Sequence, residues 1–199
     1  MLTQIQQKQK RIFDIILSIA GILLTWWIVL LAWIAASFET RSNGLFVQTR
    51  IGRHAKPFAI FKIKTMYHVQ HTDTHVTTSK DTRITKSGAF FRKMKIDELP
   101  QLWNVLIGDM SFVGPRPDVP GFADKLEGEE RKILELRPGI TGPASLKYRS
   151  EETILSQAKD PERYNREIIW PDKVKINRVY MEHWSLSRDI MYIIKTIIG

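Results

Sequence analysis

Asp97 and Glu98 stand side by side in a stretch that is otherwise cationic, with Arg92, Lys93 and Lys95 upstream and Arg116 downstream. Behind them Leu99, Leu102, Trp103 and Leu106 recur at i, i+3, i+4 and i+7, which predicts a helix with one apolar face. Asp97, Gln101, Asn104 and Gly108 fall on the opposite, polar side of that projection. Pro100 suits only a first turn, so the helix is expected to begin close to Asp97 with both carboxylates at its amino end. Asp97 then has two readings. It is a preferred N-cap, which needs no chemistry. Alternatively, a carboxylate pair among cations at a helix amino terminus suits an anionic, phosphate-bearing substrate. In phosphoryl chemistry one carboxylate attacks phosphorus while its neighbour holds a divalent metal. Gly108 and Asp109 end the helical pattern, and the GPRP that follows fixes the backbone around Arg116.

The elements that must position these residues can be read around them. LFVQTRI and FAIFKIKTM, separated by GRHAKP, predict a β-hairpin over residues 45–66. Lys62 and Lys64 alternate with apolar residues and share one side of the second strand. Residues 67–80 read as a polar surface loop. Its His68, His71 and His75 have helical spacing, but Thr and Val dominate their neighbours, a weak pattern for a metal site. Residues 81–95 predict a short helix that brings Arg92 toward Asp97. Residues 118–136 look like a charged, exposed helical segment. RPGITG then reads as a tight turn, with Gly139 and Gly142 free to take positive φ. Arg137 in that turn either makes a structural ion pair or binds phosphate. Beyond residue 150, Pro161 and Pro171 cut helical pieces. Ile176, Val179, Tyr180 and His183 share a face in one, and Ile190, Ile193, Ile194 and Ile197 form an amphipathic pattern in the last. That last helix either packs on a core or lies on a membrane surface.

From residue 15 to residue 36 no charged residue occurs. As a helix this run extends roughly 33 Å, about the thickness of a bilayer's hydrocarbon core. Trp26, Trp27 and Trp33 suit a membrane interface. A cleaved signal peptide is the competing reading, since a basic start and small residues at 35–37 imitate one. Basic residues flank both ends: Lys8, Lys10 and Arg11 before, Arg41, Arg50 and Arg53 after. Both flanks stay on the cytoplasmic side only if the helix turns back within the membrane. Gly21 with Ser18 or Thr25 offers a place to bend.

The 199 residues carry a formal charge of +9 and no cysteine. Absence of cysteine excludes disulfides, thiolate metal sites and thiol nucleophiles. The basic excess implies an anionic partner: nucleic acid, an acidic membrane surface or a phosphorylated substrate. Residues 1–40 are expected to form a membrane anchor, and residues 41–199 one compact domain.

The run KIDELPQLWNVLIGDMSFVGPRP at 95–117 resembles the signature of the bacterial sugar transferase family, the polyprenyl-phosphate phosphoglycosyl transferases. KRIFD at 10–14, QTRIG at 48–52, FKIKTM at 61–66, DTRIT at 81–85 and RPGITG at 137–142 fall in the family's order and approximate spacing. The resemblance implies a mainly helical α+β protein: a re-entrant membrane helix, then a compact cytoplasmic domain with a short β-hairpin and amphipathic interfacial helices. It implies transfer of a sugar-1-phosphate from a nucleoside diphosphate sugar, a UDP-sugar, to polyprenyl (undecaprenyl) phosphate at the bacterial inner membrane. The route implied is a covalent phosphosugar-aspartyl intermediate that starts lipid-linked glycan assembly. Asp97 would be the nucleophile. Glu98, with Asp97, would hold Mg²⁺, and Lys62, Arg92, Arg116 and Arg137 would bind phosphate. Partners implied are the sugar nucleotide, the lipid phosphate and the bilayer, with a homodimer open and no nucleic acid. The sequence departs from the family pattern in three places. Thr25-Trp26-Trp27 replaces the usual Ser-Pro break, PASLKYRSEE replaces a Gln-containing continuation, and Asn177 stands where many relatives have aspartate. The rival readings are a membrane-tethered basic nucleic-acid-binding module and a catalytically dead scaffold.

Overall fold

The computed structural model describes residues 2–67 and 82–199; His68, His71, His75 and Asp81 lie outside the described residues. Helix α1 spans Gln4–Thr40 and opens on a capping box, with Thr3 accepting from the Gln6 amide and Gln6 answering the Thr3 amide. Helical geometry runs unbroken through Thr25-Trp26-Trp27, where the Thr25 hydroxyl bonds back to the Gly21 carbonyl at 2.7 Å. The residues α1 buries are Lys10, Asp14, Ser18, Ala32 and Ala36, small or polar and mostly four apart. Its large apolar residues point outward instead: Leu23, Leu24, Trp26, Trp27, Leu30 and Leu31 are all exposed. A core helix of a soluble domain is arranged the other way round. This helix is long and apolar enough to cross a membrane, with only 11% of its most apolar window buried.

Strands β1 (Leu45–Ile51) and β2 (Pro57–Ile63) form the expected antiparallel hairpin, in register from Leu45 opposite Ile63 to Ile51 opposite Pro57. Helix α2 (Lys86–Lys93) is capped twice. Thr85 accepts from the Gly88 amide, and Glu39 from the end of α1 accepts from the Lys86 and Ser87 amides. Helix α3 (Gln101–Ile107) stops at Gly108, whose φ of 99° only glycine adopts cheaply.

Three expectations about these segments are corrected. Helix α3 starts after Pro100, and Asp97 and Glu98 sit ahead of it in a 3₁₀ turn, Ile96–Glu98, so Asp97 is not its N-cap. The buried face of α3 is Gln101, Leu102, Asn104 and Val105, while Trp103 and Ile107 are 54% and 52% exposed. Asn104 is inside because it completes the hairpin: its amide donates to Ala59 O at 2.7 Å and accepts from Phe61 N at 3.1 Å. Residues 118–136 hold two 3₁₀ stretches, Ala123–Lys125 and Glu130–Glu135, and bury Ala123, Leu126, Ile133 and Leu134 against Ile51 and Val174.

Strand β3 (Ser111–Val113) pairs in parallel with β4 (Gly139–Thr141), which joins the GPRP segment to RPGITG. Gly139 and Gly142 are not in the positive-φ region; their role is close approach. A Cβ on Gly139 would lie 2.1 Å from Gly114 N, and one on Gly114 2.3 Å from Arg137 O. Helices α4 (Pro143–Lys147), α5 (Glu151–Gln157) and α6 (Pro161–Tyr164) follow, then a π turn, Asn165–Ile169, leading into α7 (Trp170–Glu182). Helix α7 buries Val174, Asn177, Tyr180 and Met181, whereas Val179 and His183 of the expected shared face are exposed. Helix α8 (Leu186–Ile198) leaves Ile190, Ile194 and Ile197 exposed. The architecture is mainly helical α+β.

The basic front of α1 is spent inside the protein. Lys10 Nζ lies 2.5 Å from Asp189 of α8, and Asp189 also accepts from Tyr180 and Trp184. Losing one partner of such a buried pair costs about 3–5 kcal/mol, because the other charge is left uncompensated. Arg11 donates to Val105 O and Leu106 O at 2.6 and 2.7 Å, closing the carboxyl end of α3. Of the basic residues expected to orient the helix by charge, Lys10 and Arg11 are therefore engaged by protein.

Candidate active site

Chain geometry around the acidic pair is unusual from its first residue. Lys95 has φ 58° and ψ 19°, a left-handed conformation that non-glycine residues rarely hold, and it turns the chain from α2 into the 3₁₀ turn. Glu98 then meets two cations from distant parts of the chain. Its Oε1 accepts from Lys62 Nζ at 3.2 Å and from Arg116 Nη2 at 2.9 Å. The Glu98 side chain is 12% exposed, Lys62 19% and Arg116 47%. Burial alone would raise the Glu98 carboxyl, but Arg116, Lys62 and Lys95 together outweigh it and hold it well below the usual range. Burial also pulls the Lys62 ammonium down, against the support of Glu98.

Asp97 differs from its neighbour. Its Oδ1 is buried without a hydrogen-bond partner. Burial, then the adjacent Glu98 charge, push its carboxyl above the ordinary value, and Lys62, Lys95 and Arg92 pull it back only in part. Two adjacent acids are thus driven apart, one locked as a paired anion and the other left with an idle, poorly solvated oxygen. Such divergence marks sites where carboxylates have separate roles.

Of the residues singled out from sequence, Lys62, Arg92, Asp97, Glu98 and Arg116 come together. Arg92 is also held by Glu152, at 2.6 Å. Arg137 stands elsewhere: its Nε donates to Gly108 O at 2.8 Å, and its charged neighbours are Arg53, Arg11 and Asp14. The cavity beside it is lined also by Lys10, Asp14 and Arg53. Lys64 bonds Ser42 instead of joining the acidic pair.

Several site neighbours carried no signal that periodicity could expose. Asp118, directly after GPRP, is pushed up to about 7 by burial, which Lys173, Arg50 and Arg116 only partly offset. Arg50 reaches Pro117 O and Gln48, and its buried Nε has no partner. Its place inside QTRIG was the available hint. Lys173 is fixed by Glu151 at 2.7 Å and comes from a helix more than 70 residues further on in a chain numbered to 199, too far for local pattern to reveal.

Among the described residues no group of three or more His, Cys, Asp or Glu forms a metal cluster. Asp97 and Glu98 nevertheless offer hard oxygen donors, and the partnerless Oδ1 of Asp97 is a free one. That set suits Mg²⁺, which takes one or two protein carboxylates and completes its shell with water and substrate phosphate.

Known proteins resemble this chain over most of its length. An uncharacterized sugar transferase of Bacillus subtilis, EpsL, is 32% identical over 94% of this chain and 85% of its own length. A putative undecaprenyl-phosphate N-acetylgalactosaminyl 1-phosphate transferase of the same organism is 36% identical, over 71% of this chain and 79% of its own. A UDP-glucose:undecaprenyl-phosphate glucose-1-phosphate transferase of Caulobacter vibrioides is 32% identical over 95% of this chain and 68% of its own. Residues 5–199 match the family described as bacterial sugar transferase, and with an acidic pair held among cations beside an outward-facing apolar helix, this chain belongs to that family of transferase enzymes.

Proposed function

We propose that this enzyme transfers a sugar-1-phosphate from a UDP-sugar to undecaprenyl phosphate at the cytoplasmic face of the inner membrane, through a phosphosugar bound covalently to Asp97. The observation that carries the reading is the asymmetry of the acidic pair: Asp97 Oδ1 is buried and idle while Glu98 is clamped by Lys62 and Arg116. In the first step an Asp97 oxygen bonds to the sugar-bearing phosphorus. The bond from that phosphorus to the bridging oxygen breaks, and uridine monophosphate leaves with the electron pair. In the second step an oxygen of the lipid phosphate attacks the same phosphorus, and the Asp97 carboxylate is released. Neither step needs a proton from the protein. The soluble donor and the lipid acceptor need never be bound together.

Lys62 and Arg116 supply positive charge at fixed positions where the phosphoryl oxygens gain charge, and Arg92 adds to the field on Asp97. Glu98 keeps both cations in place. Bound Mg²⁺, held by Glu98 and Asp97, would neutralise charge on the diphosphate. A partly desolvated Asp97 is the more reactive nucleophile, and its raised pKa means that acidification removes it at a higher pH than an ordinary aspartate near 3.9.

The test is chemical trapping. Sugar nucleotide radiolabelled in the β-phosphate should leave label on wild-type protein, at Asp97 by mass spectrometry, and none on Asp97→Asn, which should also release no uridine monophosphate. An Asp97→Asn protein that turns over at the wild-type rate would sink the reading.

A further inference from the structure

Two buried polar atoms without partners lie four residues apart in this site: Asp97 Oδ1, an acceptor, and Gln101 Nε2, a donor. Gln101 is 3% exposed. From Lys95 to Trp103 the chain winds through successive short turns, with Glu98 N to Lys95 O, Leu99 N to Ile96 O, Leu102 N to Leu99 O and Trp103 N to Pro100 O. In such turns residues three and four apart stack on one face, so Gln101 stands one turn behind Glu98 and Asp97. The next inward amide on α3, Asn104, is equally buried and satisfies both its groups on Ala59 and Phe61. An idle buried donor is unfavourable unless something arrives to use it. The two orphans have opposite polarity, yet they do not bond each other. A phosphoryl group between them answers both at once, its phosphorus taking the Asp97 lone pair and one of its oxygens taking the amide N–H.

We infer that Gln101 is a further catalytic residue, whose side-chain amide donates a hydrogen bond to a non-bridging oxygen of the phosphoryl group that Asp97 attacks. This deepens the reading above and rests on it. As the Asp97 oxygen–phosphorus bond forms and the bond to uridine monophosphate breaks, charge on the non-bridging oxygens is redistributed, and the donor strengthens its bond there. A neutral amide does this without pairing with Asp97, whereas a further cation would quench the nucleophile. Lys62 and Arg116 already point to Glu98. Gln101 therefore supplies the donor that the carboxylate pair does not consume.

The experiment uses full-length protein in lipid nanodiscs with a UDP-sugar and undecaprenyl phosphate. Gln101→Met keeps the length and removes the donor, and Gln101→Glu keeps the shape and replaces the donor with an acceptor. Both should lower kcat for uridine monophosphate release about 10²–10³-fold, with KM for the sugar nucleotide changed less than about threefold. Gln101→Met should melt at or above the wild-type temperature, since it removes an unsatisfied buried group; a merely structural glutamine would lower it. A donor with sulfur at one non-bridging β-oxygen, tested as separate diastereomers, should slow the wild type with one diastereomer, and that penalty should shrink in both variants. Wild-type turnover, or an undiminished sulfur penalty in a folded variant, overturns the role of Gln101. Should Gln101→Met fail to fold, the role is also refuted, because packing and not donation would then be its task. Asp97→Asn is run alongside: if it stays active the covalent reading fails, and if it is dead while Gln101→Met is fast only the present inference fails.

Discussion

Asp118 keeps its proton to about pH 7 because burial outweighs the attraction of Lys173, Arg50 and Arg116. In an unfolded chain the same carboxyl would ionise near 3.9. Between those values the folded protein holds a proton that the unfolded one has released, so its stability contribution is complete below about 3.9 and is lost as pH rises through about 7. Asp118→Asn should therefore flatten the fall in melting temperature expected between about pH 4 and pH 7. An unchanged slope would mean that other groups set it. From sequence the position belongs to a charged segment expected to be exposed, and nothing there shows its environment. Raised and lowered carboxyls look identical in a sequence, because what separates them is desolvation and the charge of residues such as Lys173 that arrive from other elements.

At the scale of elements, the site depends on three pieces held in register: the hairpin carrying Lys62, helix α3 behind the acidic pair, and the β3–β4 junction carrying Arg116. Asn104 joins the first two. Asn104→Ala leaves Ala59 O and Phe61 N unpaired in the interior, at about 1–3 kcal/mol for each group. It should lower the melting temperature in detergent and also reduce turnover, since Lys62 lies one residue beyond Phe61; a variant with normal stability would show that the hairpin is held by other means. Gly139 joins α3's following strand to the RPGITG segment. Gly139→Ala places a methyl where Gly114 N already stands, and should cost about 1–3 kcal/mol or more, measured the same way. The hairpin and the helix end at Gly108 could be read from turn and cap residues, whereas the start of α2 at Lys86 falls inside the helix expected over 81–95. The inward face of α3 could not, because Gln101 and Asn104 are polar residues that lie inside, while the periodicity rule sorts residues by hydrophobicity alone.

Over the whole molecule, α1 is fastened along its length to one body. Lys10 pairs with α8, Arg11 closes α3, Gly21 lies against Leu102, and Glu39 caps α2. A straight 37-residue helix would be about 55 Å long, well beyond the hydrocarbon thickness of about 30 Å. With helical geometry unbroken and both ends tied to the same domain, the two ends of α1 are expected on one side of the membrane. Phe90, Met94, Trp103 and Ile107, and Ile190, Ile194 and Ile197 of α8, are exposed apolar groups as well. The chain has no cysteine, so Gln9→Cys and Ser42→Cys each provide a single label site near an end of α1. An impermeant thiol reagent added to sealed vesicles should label both from the same side; labelling from opposite sides would establish a straight span.

The sequence by itself determined the parts whose information is contiguous: the apolar run, the hairpin, the acidic pair with its flanking cations, and through the 95–117 block the family. Only the tertiary structure decided how the two acids differ. Lys62 and Arg116 lie 36 and 18 residues from Glu98, and they meet on one of its oxygens. It also decided that Arg137 serves Gly108 rather than the site, and that α1 turns its small and polar stripe inward. The physical reason is common to all three. Partners far apart in sequence are brought together by packing and chain closure, and burial then sets what each charge or dipole is worth.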